Sequence, residues 1–92
     1  MPPGAGMRYF IAMPQHEPLL VDAKGLNCPM PLLKAKKALN ELSPGSLLRV
    51  LATDPGSVKD FHVFAQQSGH KLLESNDDGG TYSYLLQKRP DR

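Results

Sequence analysis

Leu19-Leu20-Val21-Asp22, then Ala23-Lys24-Gly25-Leu26-Asn27-Cys28-Pro29-Met30-Pro31, then residues 32–42 (LLKAKKALNEL) form the stretch on which the reading of this chain turns. The first four residues are an apolar run long enough for a strand. Gly25 marks the following segment as a tight loop. In residues 32–42, Leu32, Ala35, Leu39 and Leu42 recur three or four apart, the spacing of one buried helical face, and Lys34, Lys37 and Glu41 fall off that line. Ser43-Pro44-Gly45 then stops the helix. The decisive unit is therefore strand, glycine loop, cysteine, helix.

Outward from it, residues 47–52 (LLRVLA) read as a second, central strand. Asp54 is the expected N-cap of a second helix with Pro55 at its first position, and Ser57 with Asp60 is an alternative cap pair one turn later. Val58, Phe61, Phe64, Ala65 and Ser68 form its inner face, and Gly69 ends it. Residues 70–75 read as strand three, residues 76–80 (NDDGG) as a hairpin turn, and residues 81–88 as strand four. Tyr82 and Tyr84 share one face of that strand and are expected to cover the open face of the sheet. The fold class is α+β: a two-layer α/β sandwich in βαβαββ order, with a four-stranded mixed sheet and both helices on one face. Strands one and two form a parallel crossover pair, and strands three and four an antiparallel hairpin.

A chain of 92 residues with 40% hydrophobic residues makes one core and one domain. It is divided as residues 1–17, a flexible N-terminal extension rich in Pro and Gly; residues 18–89, the single domain; and residues 90–92, a frayed tail. One Cys excludes an intramolecular disulfide framework, a CxxC pair and a multi-cysteine zinc site, and it favours the reducing cytoplasm. A net charge of +2 argues for neither nucleic acid nor an anionic membrane. No apolar run approaches the ~20 residues of a membrane span. His16, His62 and His70 form no ligand spacing.

Cys28 follows a strand-to-helix loop and is the expected N-cap of the first helix. A helix start carries roughly half a positive charge and favours a thiolate. Pro29 and Pro31 lack N–H groups, so the Met30 N–H is the donor left to point at the Cys28 sulfur, or at a second sulfur attached to it. The bland reading is a buried cysteine acting as a small hydrophobe. Parallel strands one and two end at one sheet edge, which places the Cys28 loop beside residues 53–57, with Asp22 and Asp54 at the site edge. Their charge opposes thiolate formation, and helix capping or turn formation, rather than chemistry, is the expected role of both. Lys24, Lys34, Lys36 and Lys37 are either a solvated face or a docking surface for acidic partners.

The pattern Asp22-x-x-Gly25-Leu26-x-Cys28-Pro29-x-Pro31 resembles the signature of the TusA/SirA-like sulfur carrier family. The resemblance spans residues 19–88, with Asp54-Pro55 and Tyr82-x-Tyr84-Leu85 also similar. It implies the same βαβαββ sandwich. It also implies a sulfur carrier, sulfurtransferase-like rather than a stand-alone enzyme. Cys28 would accept a persulfide sulfur from a cysteine desulfurase and relay it to an acceptor protein, serving tRNA thiolation, molybdenum-cofactor enzymes or related sulfur traffic. Gly25, Leu26, Pro29, Met30 and Pro31 would be the motif residues cradling that sulfur, and Lys24, Lys34 and Lys37 the docking residues. The expected carrier is a cytoplasmic monomer with no cofactor, metal, membrane or direct nucleic-acid partner. Two other readings stand beside it: an RNA-binding module, since the architecture resembles the C-terminal domain of a translation initiation factor, and a non-catalytic regulator with a buried Cys28.

Overall fold

In the computed structural model, which describes residues 17–90, strand β2 (Leu47–Ala52) alternates strictly: Leu48, Val50 and Ala52 are wholly buried, and Leu47, Arg49 and Leu51 between them are half-covered. A strand with one dry face needs a layer on that side, and two helices provide it. The extension expected over residues 1–17 and the tail expected over 90–92 lie outside the described residues, apart from Glu17 and Pro90 at their inner ends.

The element order is β1 (Leu19–Ala23), α1 (Met30–Glu41), β2, α2 (Ser57–Ser68), β3 (Lys71–Asp78) and β4 (Thr81–Gln87). The sheet runs β1-β2-β4-β3. β1 pairs with β2 in parallel, and β4 pairs antiparallel with both β2 and β3. α1 packs on β1 and β2, and α2 on β3 and β4, so the helices lie side by side on one layer. This is the α+β sandwich expected from the sequence.

The α1 stripe is as spaced: Ala35 and Leu39 are fully buried, with Leu32 and Leu42 packed against the core. α2 differs by one position. Ser57 and Phe61 are its buried residues, and Val58, one residue round the helix from Ser57, is exposed. Neither expected cap of α2 is used. Asp54 and Pro55 form a turn ahead of it through Ser57 N–H to Asp54 O (3.0 Å) and Val58 N–H to Pro55 O (3.3 Å), and Gly56 holds the N-cap position without a side-chain bond.

The hairpin is tighter than its composition suggests. β3 runs on to Asp78 because Asn76 and Asp77 stay in the ladder opposite Ser83 and Tyr82. The turn is only Gly79-Gly80, with φ of 64° and 96°, the doubly positive pair that a two-residue hairpin turn requires. The Asp77 carboxylate accepts the Gly80 N–H at 3.0 Å.

The tyrosines lie opposite to expectation. Tyr82 and Tyr84 pair with Ala52 and Val50, the buried side of β2, so they face the helices rather than the open side of the sheet. Tyr84 is fully buried, stacks on Phe61 with ring centroids 4.4 Å apart, and shares a 2.7 Å hydrogen bond with the Ser57 hydroxyl. The polar tip of a tyrosine can stay in the core because Ser57 satisfies it. The open face instead carries Arg49, bonded to Glu74 (3.1 Å) and Ser83 (2.8 Å), and Leu20, 57% exposed.

Replacing Phe61 by Ala removes the stacked ring from the core and should cost about 3–5 kcal/mol. Tyr84→Phe removes only the hydroxyl and strands Ser57 Oγ, for about 1–3 kcal/mol. Urea unfolding midpoints measure both. A Tyr84→Phe loss as large as that of Phe61→Ala would show that the hydrogen bond, and not the ring packing, anchors α2.

Candidate functional site

Because β1 and β2 are parallel, both chains leave the sheet at the same edge and turn back into helices there. The two connecting loops are tied together. Gly25, held at φ 83°, donates its N–H to Thr53 Oγ1 at 2.9 Å. Gly56 separates Asp54 from Cys28 closely enough that a Cβ on it would lie 3.0 Å from Asp54 Oδ2 and 3.8 Å from Cys28 Cβ. A larger residue at 56 would have to displace the Asp54 carboxylate.

Cys28 is exposed and has a free thiol. It is not the N-cap of α1. The helix begins at Met30 with Pro29 in the cap position, and the Cys28–Pro29 peptide is cis. The Met30 N–H does not point at the sulfur; it donates to Asn27 O at 2.8 Å, and the Leu33 N–H donates to Pro29 O at 3.0 Å. Local carbonyls satisfy the helix start before any side chain can, and the thiol turns across to the second helix. There Cys28 Sγ–H donates to Asp60 Oδ2 at 2.6 Å. A hydrogen bond to a carboxylate is stronger than one to a neutral acceptor, which favours this arrangement.

The electrostatics follow. The hydrogen bond to Asp60, then desolvation, then the charges of Asp60 and Asp54 push the Cys28 thiol above its ordinary value. A thiol bonded to an anion holds its proton, the opposite of the thiolate expected at a helix start. Asp60 itself sits in the first turn of α2, where aligned peptide dipoles favour negative charge. Asp54 Oδ2 is buried and has no hydrogen-bond partner among the described residues.

The remaining predicted site residues fall in four groups. Leu26 is partly buried against the core, with its N–H closing a turn on Ala23 O (3.2 Å). Pro31 is buried, and Met30 and Leu33, three residues apart on the first turn of α1, are 44% and 47% exposed. Asp22 stands apart from the sulfur: its carboxylate takes the Lys24 backbone N–H (3.0 Å) and pairs with Lys24 Nζ (3.1 Å), which holds its pKa below the usual carboxylate value, the backbone bond first. Lys24 is thereby engaged at the loop. Lys34 and Lys37 lie farther along α1, lining a shallow concavity with Val21, Ala38 and Glu41. Asp60, weighed from sequence only as a cap, is the residue that touches the sulfur. The available signal was its place in the first turn of a helix already set beside the Cys28 loop. Among the described residues, no group of three or more His, Cys, Asp or Glu could hold a metal, and no helix is long and apolar enough to cross a membrane.

The family model described as Sulfurtransferase TusA matches residues 20–88. The chain belongs to the TusA family. A sulfur carrier protein TusA of Allochromatium vinosum is 57% identical over 68 residues, 74% of this chain and 90% of that one. A putative sulfur carrier protein YrkI of Bacillus subtilis is 46% identical over 69 residues, covering 75% and 92%. Among solved structures, a SirA-like protein of Desulfitobacterium hafniense matches with a TM-score of 0.69 and 30% identity, over 77% of this chain and 97% of that one. The family resemblance read from the Cys-Pro-x-Pro motif is thus shown. This TusA-family chain places that motif where its two helix starts converge.

The carboxylates around Cys28 have a measurable consequence. Alkylation of the native thiol by iodoacetamide should follow a pH profile whose midpoint lies above that of the same chain unfolded in guanidinium chloride, with slower reaction at neutral pH. Since the folded value is the raised one, the contact adds stability below the ordinary cysteine range and loses it as pH rises past that range. A native profile at or below the unfolded one would mean that Asp54 and Asp60 do not act on the sulfur.

Proposed function

We propose that this chain is a sulfur carrier that accepts a sulfane sulfur on Cys28 from the persulfide of a cysteine desulfurase and passes it to an acceptor protein. The observation that carries the reading is the exposed free thiol of Cys28 on the loop before α1, in a chain with one cysteine. In thiol exchange, an attacking sulfur displaces a leaving thiolate; here the sulfane sulfur moves from the donor cysteine to Cys28 and later onward. With no second cysteine, the chain cannot discharge that sulfur onto itself by forming an internal disulfide.

Met30 and Leu33, exposed on the first turn of the helix that follows Cys28, give both partners an apolar surface to dock on during transfer. Asp54 borders the site, and Gly25, Leu26, Pro29 and Pro31 fix the loop that presents Cys28. Lys34 and Lys37 add positive charge for an acidic partner. The acceptor belongs to tRNA thiolation, molybdenum-cofactor assembly or a related sulfur pathway. The carrier works in the cytoplasm, where a free thiol stays reduced.

Incubation with a cysteine desulfurase, pyridoxal phosphate and cysteine should add one sulfur atom to the chain, located on Cys28 by mass spectrometry of its peptides. Cys28→Ser should take up none. Equal uptake by the Ser variant would refute the assignment.

A further inference from the structure

The Cys28–Asp60 contact raises a question the relay itself does not answer: where the thiol proton goes. The sulfur that must act as nucleophile rests as a thiol, donating to Asp60 Oδ2 at 2.6 Å. An uncharged thiol is a poor nucleophile, and the thiolate is the reacting form. The proton therefore has to leave as the sulfur attacks, and one acceptor atom is already in line with it. The second carboxylate is no substitute. Asp54 Oδ2 is buried against Gly56 and makes no hydrogen bond to the sulfur. The charged groups acting on Cys28 are these two, Asp60 on α2 and Asp54 in the loop before it. The nearest cation along the chain, Lys24, is paired with Asp22.

We propose that Asp60 is the catalytic proton acceptor and donor of the carrier: its Oδ2 takes the Cys28 proton when sulfur is loaded, and supplies a proton to the Cys28 thiolate when sulfur is delivered. This rests on the relay reading above. In loading, Cys28 Sγ attacks the sulfane sulfur of the donor persulfide. The new Sγ–S bond forms as the donor S–S bond breaks, and that bond's electron pair leaves with the donor cysteine as thiolate. The Cys28 proton passes to Asp60 and is then available to the departing donor thiolate. One persulfide and one thiol become one thiol and one persulfide, so no oxidant or reductant is consumed. Delivery runs the same step in reverse: the acceptor thiol gives its proton to Asp60 as it takes the sulfane sulfur, the Cys28 Sγ–S bond breaks, and Cys28 leaves as a thiolate that Asp60 reprotonates with that proton.

Nucleophilicity and proton transfer make opposite demands on residue 60, and this separates the role from simple thiol tuning. In Asp60→Asn the anion that holds the proton is gone, so Cys28 alkylation by iodoacetamide at neutral pH should speed up. Sulfur uptake from a saturating concentration of persulfidated desulfurase should nevertheless slow by at least tenfold, since positioned acid–base groups typically contribute about 10²–10⁴-fold. Asp60→Glu, which restores a carboxylate, should recover part of the uptake. Uptake by the Asn variant that equals or exceeds wild type, rising with its alkylation rate, would overturn the proposal and leave Asp60 as a group that only keeps the thiol protonated. A Glu variant no better than Asn would also count against it. Wild-type chain that takes up no sulfur would instead overturn the relay reading, and this role with it.

Discussion

The parallel pairing of β1 with β2 is the constraint from which the site follows. In an antiparallel pair, the loops leaving two successive strands lie at opposite sheet edges. Here Leu19–Ala23 and Leu47–Ala52 run the same way in register, from Leu19 opposite Leu48 to Ala23 opposite Ala52. Both chains must turn into helices at one edge, so the Cys28 loop and the first turn of α2 meet there although Cys28 and Asp60 are 32 residues apart in sequence. The Gly25 N–H to Thr53 Oγ1 bond joins the two loops directly. Neither half makes the site alone, because the thiol comes from the loop before α1 and its acceptor from the first turn of α2.

The core fixes how accurately the second half is placed. Ser57 and Phe61 are the two buried residues of α2, and both hold Tyr84, one through its hydroxyl and the other by ring stacking. Asp60 lies between them in sequence, on the same turn. The side chain that meets the sulfur is thus carried on a helical turn pinned at both ends to one buried tyrosine. A polar contact at the surface inherits its geometry from packing beneath it, as precise functional groups generally require.

The layers, the element order and the approach of the two loops were legible in the sequence because they follow from periodicity and from topological rules that act over whole segments. The α1 stripe of Ala35 and Leu39 and the β2 run both read correctly for that reason. What the sequence misplaced was settled by single bonds. Cys28 reads as a cap from its position before the helix, yet the carbonyl of Asn27 reaches the Met30 N–H first. Asn76 and Asp77 read as turn residues by composition, but pairing with Ser83 and Tyr82 keeps them in the strand, and two glycines suffice for the turn. Tyr82 and Tyr84 could be assigned to a common face but not to a particular one, because an amphipathic tyrosine suits either; the Ser57 hydroxyl that decides it is 27 residues away.

The same competition explains why the thiol is resting rather than primed. A helix start supplies partial positive charge only over its first turn. Cys28 stands ahead of that turn, and its side chain reaches away toward Asp60, with Asp54 adding a second negative charge nearby. The balance of charge at the sulfur is therefore set by α2 and its preceding loop rather than by the helix that Cys28 precedes. For a thiol that stands in the open, this has a chemical benefit: oxidation and adventitious alkylation both proceed through the thiolate, so a sulfur that keeps its proton is protected from each. Exposure leaves the sulfur accessible, and the carboxylates restrain its reactivity. The two requirements are met by different residues, which allows a domain this small to satisfy both with a single cysteine.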